Sequence, residues 1–219
     1  MNTKLDNEEF KITYLITRNA LAHAAQSLSR LLKDEVKLLK LDLREDRQGL
    51  PTVSDHLGKT DCFLLRTDIF GEFRAQSNLI ISEEEAHKIW KITQPPNISL
   101  QDEMREAILL ELDNILTASV ISEMVNILRL EAFGGIPKLE KTNPHKIMEE
   151  LFKEDNIYNY YFFLNTVMVC KNTQISPSFI WLFKEELIDT IRNVIKNPES
   201  YPGLSKIGTH FPNHHSQYE

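Results

Sequence analysis

Residues 108–128 read ILLELDNILTASVISEMVNIL, and this run decides how the rest of the chain is arranged. Its apolar residues Ile108, Leu109, Leu112, Ile115, Leu116, Val120 and Met124 fall three and four apart, the spacing that buries one side of a helix. The wider stretch from Glu103 to Pro137 is therefore expected to hold one long amphipathic helix, capped by Ser99 and ended by Gly134, Gly135 and Pro137. At about 100° per residue, Ala107, Glu111, Asn114 and Ala118 share a narrow strip beside the apolar face. A carboxylate and a carboxamide one turn apart lie between two methyl-sized residues, an arrangement a partner can approach closely. Asp113 reads as a solvated helix residue that adds negative charge near the strip.

Working outward, the 219 residues suffice for one sizeable core or two fused half-domains, and 42% hydrophobic with 26% charged residues is ordinary for a globular protein. The net charge of −7 argues against nucleic acid and anionic membrane surfaces as main partners. No run approaches the roughly 20 apolar residues that span a bilayer. The start, MNTKLDNEEF, is polar and acidic, unlike a signal peptide. Cys62 and Cys170 lie in apolar strand-like runs without metal-ligand spacing, so both read as buried free thiols of a cytoplasmic protein.

A first helix is expected from Asp6 or Asn7 to about Lys33, then a strand from Val36 to Leu43 and a polar loop to Lys59. Asp61 to Thr67 and Phe73 to Ile81 read as a hairpin, and Ser82 with Glu85 opens a short helix to about Ile92. After the long helix come a helix from about Pro144 to Phe152, a strand from Ile157 to Cys170, a returning strand from Ile175 to Leu182 and a helix from about Lys184 to Ile195. From Asn197 onward, with His210, His214 and His215, the chain shows no periodicity and reads as a flexible tail. The two halves repeat one order: long helix, irregular segment, hairpin, shorter helix. A slide of 95 residues brings Leu15 onto Leu110, Asn19 onto Asn114, Leu21 onto Leu116 and Ser27 onto Ser122. The expected fold is thus α/β (α+β): an internally duplicated, pseudo-twofold domain over residues 1–196, with half-repeats at about 8–92 and 99–196. Its two long helices pack against a shared, mostly antiparallel sheet, and a tail follows at 197–219.

In these features the chain resembles the CheC, CheX and FliY family of chemotaxis phosphatases. The family pattern is Asp or Ser, three residues, Glu, two residues, Asn, twenty-two residues, then Pro. Here Glu111 and Asn114 supply the pair, and Pro137 follows Asn114 by 23 positions. Ala107 stands where the pattern has Asp or Ser, and Asp113 where members often have Gly. The first half keeps Asn19 but has Ile16 and Asp42 at the Glu and Pro positions, so Asn19 reads as the relic of a second site. His23 beside it reads as a surface histidine.

The resemblance implies a hydrolase acting on the aspartyl phosphate of a CheY-like receiver domain. Asn114 would orient the attacking water, Glu111 would pair with the receiver's lysine, and Pro137 would be structural. The phosphatase would carry no cofactor of its own, with Mg²⁺ on the receiver. A CheD-like deamidase and a second copy of the chain are further partners the resemblance allows. The alternative is a non-catalytic CheC-like binding or adaptor module in two-component or chemotaxis signalling, which Ala107 and the degenerate first half permit.

Overall fold

The computed structural model describes residues 5–44, 61–94, 101–151 and 162–207. Six helices and seven strands lie in these segments. In chain order they are α1 (Asn7–Leu32), β1 (Val36–Arg44), β2 (Cys62–Gly71), β3 (Ala75–Ser82), α2 (Glu83–Thr93) and α3 (Asp102–Leu128). Then come β4 (Ala132–Gly134), β5 (Lys138–Thr142), α4 (Pro144–Leu151), β6 (Phe162–Cys170), β7 (Ser178–Phe183), α5 (Glu186–Lys196) and α6 (Gly203–Ile207). The expected loop over 45–59, Ser99 and the first residues of the expected strand from Ile157 lie outside the described residues.

All strand pairs are antiparallel, in the order β1-β6-β7-β3-β2-β4, with β5 also pairing β2. Exchanging β1 for β4 and β5, β6 for β2, and β7 for β3 returns the same order. This is the expected pseudo-twofold, with its axis between the central strands β3 and β7. Strands β6 and β7 lie inside the sheet and are buried on both faces, which is why β6 (FFLNTVMVC) and β7 (SFIWLF) read as mostly apolar runs without alternation. The edge strand β1 instead varies in burial along its length, and its register shift at Leu38/Lys40 leaves Leu39 exposed.

One sheet face carries α1 and α3. Leu65, Ile69, Leu79, Leu164 and Trp181 meet them in the main core. The opposite face gathers Cys62, Leu64, Ile80, Phe163, Ile180 and Leu182 under Ile147 and Leu151 of α4. Both cysteines are buried and free, as expected. Helices α1 and α3 run antiparallel. Buried Ala20, Ala24 and Ala25 allow close approach, and Ser119 Oγ donates to Ser27 Oγ at 2.8 Å.

Three expectations need correction. Helix α3 does not continue to Gly134. It stops at Arg129, which takes the left-handed conformation at φ 52 and donates its N–H to the Val125 carbonyl. Gly134 and Pro137 belong instead to the two short strands β4 and β5 and the link between them. The helix start is capped by Gln101, with no side-chain hydrogen bond. Nor is the chain loose from Asn197: a 3₁₀ turn at Pro198–Ser200 leads into α6, and Ile207 enters the main core. Helix α6 passes so near α3 that a methyl group on Gly203 would lie 2.8 Å from Ile127 Cα. Residues 208–219, with the three histidines, are outside the described residues.

Candidate functional site

Glu111, Asn114, Ala107 and Ala118 are all exposed on α3. Leu109, Leu112, Leu116, Val120 and Met124 of the same helix are buried against the sheet and α1. At about 100° per residue the strip lies across the helix from the centre of this buried arc, not merely beside it. Among the described residues the side chains of Glu111 and Asn114 take part in no hydrogen bond or ion pair, so carboxylate and carboxamide both stand open to a partner.

The helix beneath them is held at several points. Near its start, Trp90 Nε1 of α2 donates to the Arg105 carbonyl at 2.9 Å, and the Arg105 guanidinium lies 5.5 Å from the centre of the Trp90 ring. Further along, a methyl on Gly134 of β4 would touch Thr67, Ile121 and Thr117, at 3.4, 3.5 and 3.7 Å. Pro137 is half-buried and sits between β4 and β5, which pair with Ile69–Gly71 and Cys62–Arg66 of β2. A residue without an N–H fits this break in the ladder, so Pro137 acts on the edge of the sheet rather than on the exposed strip.

Asp113 overturns its sequence reading. It is fully buried, at the centre of the apolar arc. Its Oδ2 accepts a hydrogen bond from Thr67 Oγ1 of β2 at 2.6 Å, while Oδ1 has no partner among the described residues. One turn on, Thr117 Oγ1 and Ser77 Oγ of β3 are 2.9 Å apart. Burial pushes the Asp113 carboxyl up from 3.8 to about 6, against the Thr67 and Thr117 hydroxyls, which act the other way. The signal was legible: Leu109, Leu116, Val120 and Met124 flank Asp113 at helical spacing, so the 3.6-residue period puts a carboxylate in the core.

The first half also reads differently in three dimensions. Helices α1 and α3 end at Leu32 and Leu128, with left-handed caps at Lys33 and Arg129, a separation of 96 residues. Their buried positions follow the same offset: Thr13, Ile16, Thr17, Ala20, Leu21, Ala24, Ala25 and Leu28 against Leu109, Leu112, Asp113, Leu116, Thr117, Val120, Ile121 and Met124. The 95-residue slide is therefore one short. Arg18, not Asn19, stands where Asn114 does, and Leu15 stands where Glu111 does. Asn19 is moreover engaged, its Nδ2 donating to Glu123 Oε1 of α3 at 2.6 Å. It ties the two helices together and does not mark a second exposed pair. His23 is half-buried, its Nδ1 enclosed and without a partner among the described residues.

No family model and no curated protein sequence matches the chain. Solved structures do. FliY of Thermotoga maritima superposes with a TM-score of 0.61 at 14% identity, over 88% of this chain and 98% of that one. CheX in the CheX–CheY–BeF3–Mg²⁺ complex from Borrelia burgdorferi matches with a TM-score of 0.51 at 10% identity, over 77% and 97%. The FliM–SpeE complex from H. pylori contributes a match of 0.54 at 12% identity, over 87% and 97%. The chain therefore has the CheC/CheX/FliY fold of chemotaxis proteins. No helix among the described residues is long and apolar enough to cross a membrane.

Proposed function

We propose that this chain docks a CheY-like receiver domain on the exposed strip of α3 and accelerates hydrolysis of its aspartyl phosphate. The observation that carries this reading is that Glu111 and Asn114 are exposed together on one helix face, between Ala107 and Ala118, without partners of their own among the described residues. An acyl phosphate on a receiver that brings its own Mg²⁺ and lysine needs little more than a water held in line. A carboxamide suits that task, because its oxygen accepts from the water, its NH₂ donates nearby, and it does not titrate. Asn114 is that group. Glu111, one turn earlier, is placed to pair with the receiver's lysine and set the docking register. Ala107 and Ala118 leave room for the helix to enter the partner's cleft. The CheX–CheY complex among the structural neighbours supports a receiver as the partner.

The test is the decay of a phosphorylated receiver with and without the protein. Asn114→Ala should abolish the acceleration while leaving receiver binding intact, and Glu111→Ala should mainly weaken binding. Both side chains are exposed, so neither variant should change stability by more than about 0.5 kcal/mol. A decay rate unchanged by Asn114→Ala would sink the catalytic role.

A second reading keeps the docking without hydrolysis, as an adaptor for a receiver or a deamidase-type partner. Ala107, at the position where the phosphatase pattern has Asp or Ser, favours it. Receiver binding with no acceleration by the wild-type chain would establish that reading instead.

A further inference from the structure

Beneath the exposed pair lies a polar cluster that the phosphatase reading does not use. Asp113 of α3, Thr67 of β2, Ser77 of β3 and Thr117 of α3 are all buried between helix and sheet. Thr67 Oγ1 donates to Asp113 Oδ2 at 2.6 Å, and Ser77 Oγ lies 3.5 Å from the Thr67 carbonyl and 2.9 Å from Thr117 Oγ1. Asp113 Oδ1 faces this interior without a partner among the described residues.

Among the same residues no charge compensates the carboxyl. From β2 the residues on the same face as Thr67 are Leu65 and Ile69, from β3 those beside Ser77 are Ala75 and Leu79, and β4 brings Gly134. Helix α1 turns Ala24 and Leu28 into the shared core. No charged side chain of the described neighbouring elements shifts the titration of Asp113, which responds only to burial and to the Thr67 and Thr117 hydroxyls. A neutral acid is tolerable at such a place, whereas an ionised one with a single strong hydrogen bond pulls toward water.

Asp113 and Asn114 are adjacent, and the strip lies across the helix from the Asp113 side chain. Any movement of α3 that lets the Asp113 carboxylate reach water therefore shifts Glu111 and Asn114 as well. We propose that Asp113 is a pH-responsive positioning residue: its neutral carboxyl, bonded to Thr67, seats α3 on the sheet, and its ionisation loosens that seat and the presentation of Glu111 and Asn114. The loosening is a property of the helix alone. Its effect on a receiver rests on the phosphatase reading.

The test is amide hydrogen exchange of the full chain from pH 5 to pH 7.5, corrected for intrinsic exchange, on wild type, Asp113→Asn and Thr67→Val. A folded-state carboxyl raised from 3.8 to about 6 makes an opening that solvates Asp113 about tenfold more frequent across this range. Protection of amides 109–117 should fall by that factor in the wild type, and stay level in Asp113→Asn. Thr67→Val removes a hydrogen bond to the charged form and should move the fall to higher pH. Wild-type protection that stays level, or falls equally in Asp113→Asn, overturns the proposal. Receiver decay over the same pH range separates the two readings. If the protein accelerates decay, the wild-type rate should decline relative to Asp113→Asn as pH rises. If it accelerates nothing, the phosphatase reading fails and the exchange result alone decides the role of Asp113.

Discussion

Replacing Asp113 with asparagine should make this protein more stable at neutral pH. The carboxyl is raised from 3.8 to about 6 in the folded state, chiefly by burial. A tenfold change in proton affinity corresponds to about 1.36 kcal/mol, so holding this group ionised in the fold costs about 3 kcal/mol. The direction follows from proton counts. Between about pH 3.8 and 6 the folded chain keeps a proton that the unfolded chain has released, so stability falls as pH rises through this window and levels off above it. Asparagine never ionises. Its carbonyl can still accept from Thr67, but its NH₂ inherits the unpartnered position of Oδ1, which costs about 1 kcal/mol. The net expectation is a gain of about 2 kcal/mol for Asp113→Asn at pH 8. Below pH 4 there should be no gain, or a small loss. Urea denaturation of both proteins, followed by circular dichroism at half-unit steps from pH 4 to 8, measures the difference directly. Titrations elsewhere cancel in the comparison. A difference between the two proteins that stays constant across the window would refute the account of Asp113 as a buried, uncompensated acid.

Two further variants probe the frame that carries α3. Gly71, at φ 125, ends β2 where the chain crosses Glu131, and a methyl there would lie 2.2 Å from the Glu131 carbonyl oxygen. Gly71→Ala should therefore cost about 3 kcal/mol in urea denaturation, through combined strain and overpacking, and a loss under about 1 kcal/mol would contradict this close crossing. Ile207→Ala should cost about 2–3 kcal/mol, because Ile207 is only 6% exposed and belongs to the main core. A neutral outcome would return residues 203–207 to the status of a dispensable tail.

Most of the fold was legible because it rests on periodicity. The cap at Asp6 or Asn7 placed the start of α1, the three-and-four spacing placed α3, the capping box at Ser82 and Glu85 placed α2, and the aromatic, β-branched run to Cys170 placed β6, with β7 as its return. The strands β4 and β5 were not legible. They are short, and at the edge of the sheet they form by pairing with β2, a contact remote in sequence. Helix α6 escaped for a similar reason: its five residues are ordered by packing on α3, not by their own propensity.

The candidate site divides along the same line. Helical period and spacing are local properties, and they suffice to put Glu111 and Asn114 on one helix face with Pro137 at its set distance. The same period puts Asp113 at the centre of the apolar arc, so its burial too was legible; two things needed the packed molecule: which first-half residue is the pair's true counterpart, and what holds the helix in place. Asn19 is not the counterpart of Asn114 because the two helices match at 96 residues rather than 95. The register between two helices and the contacts that hold them are set by what packs against each, and no stretch of one helix carries that information alone.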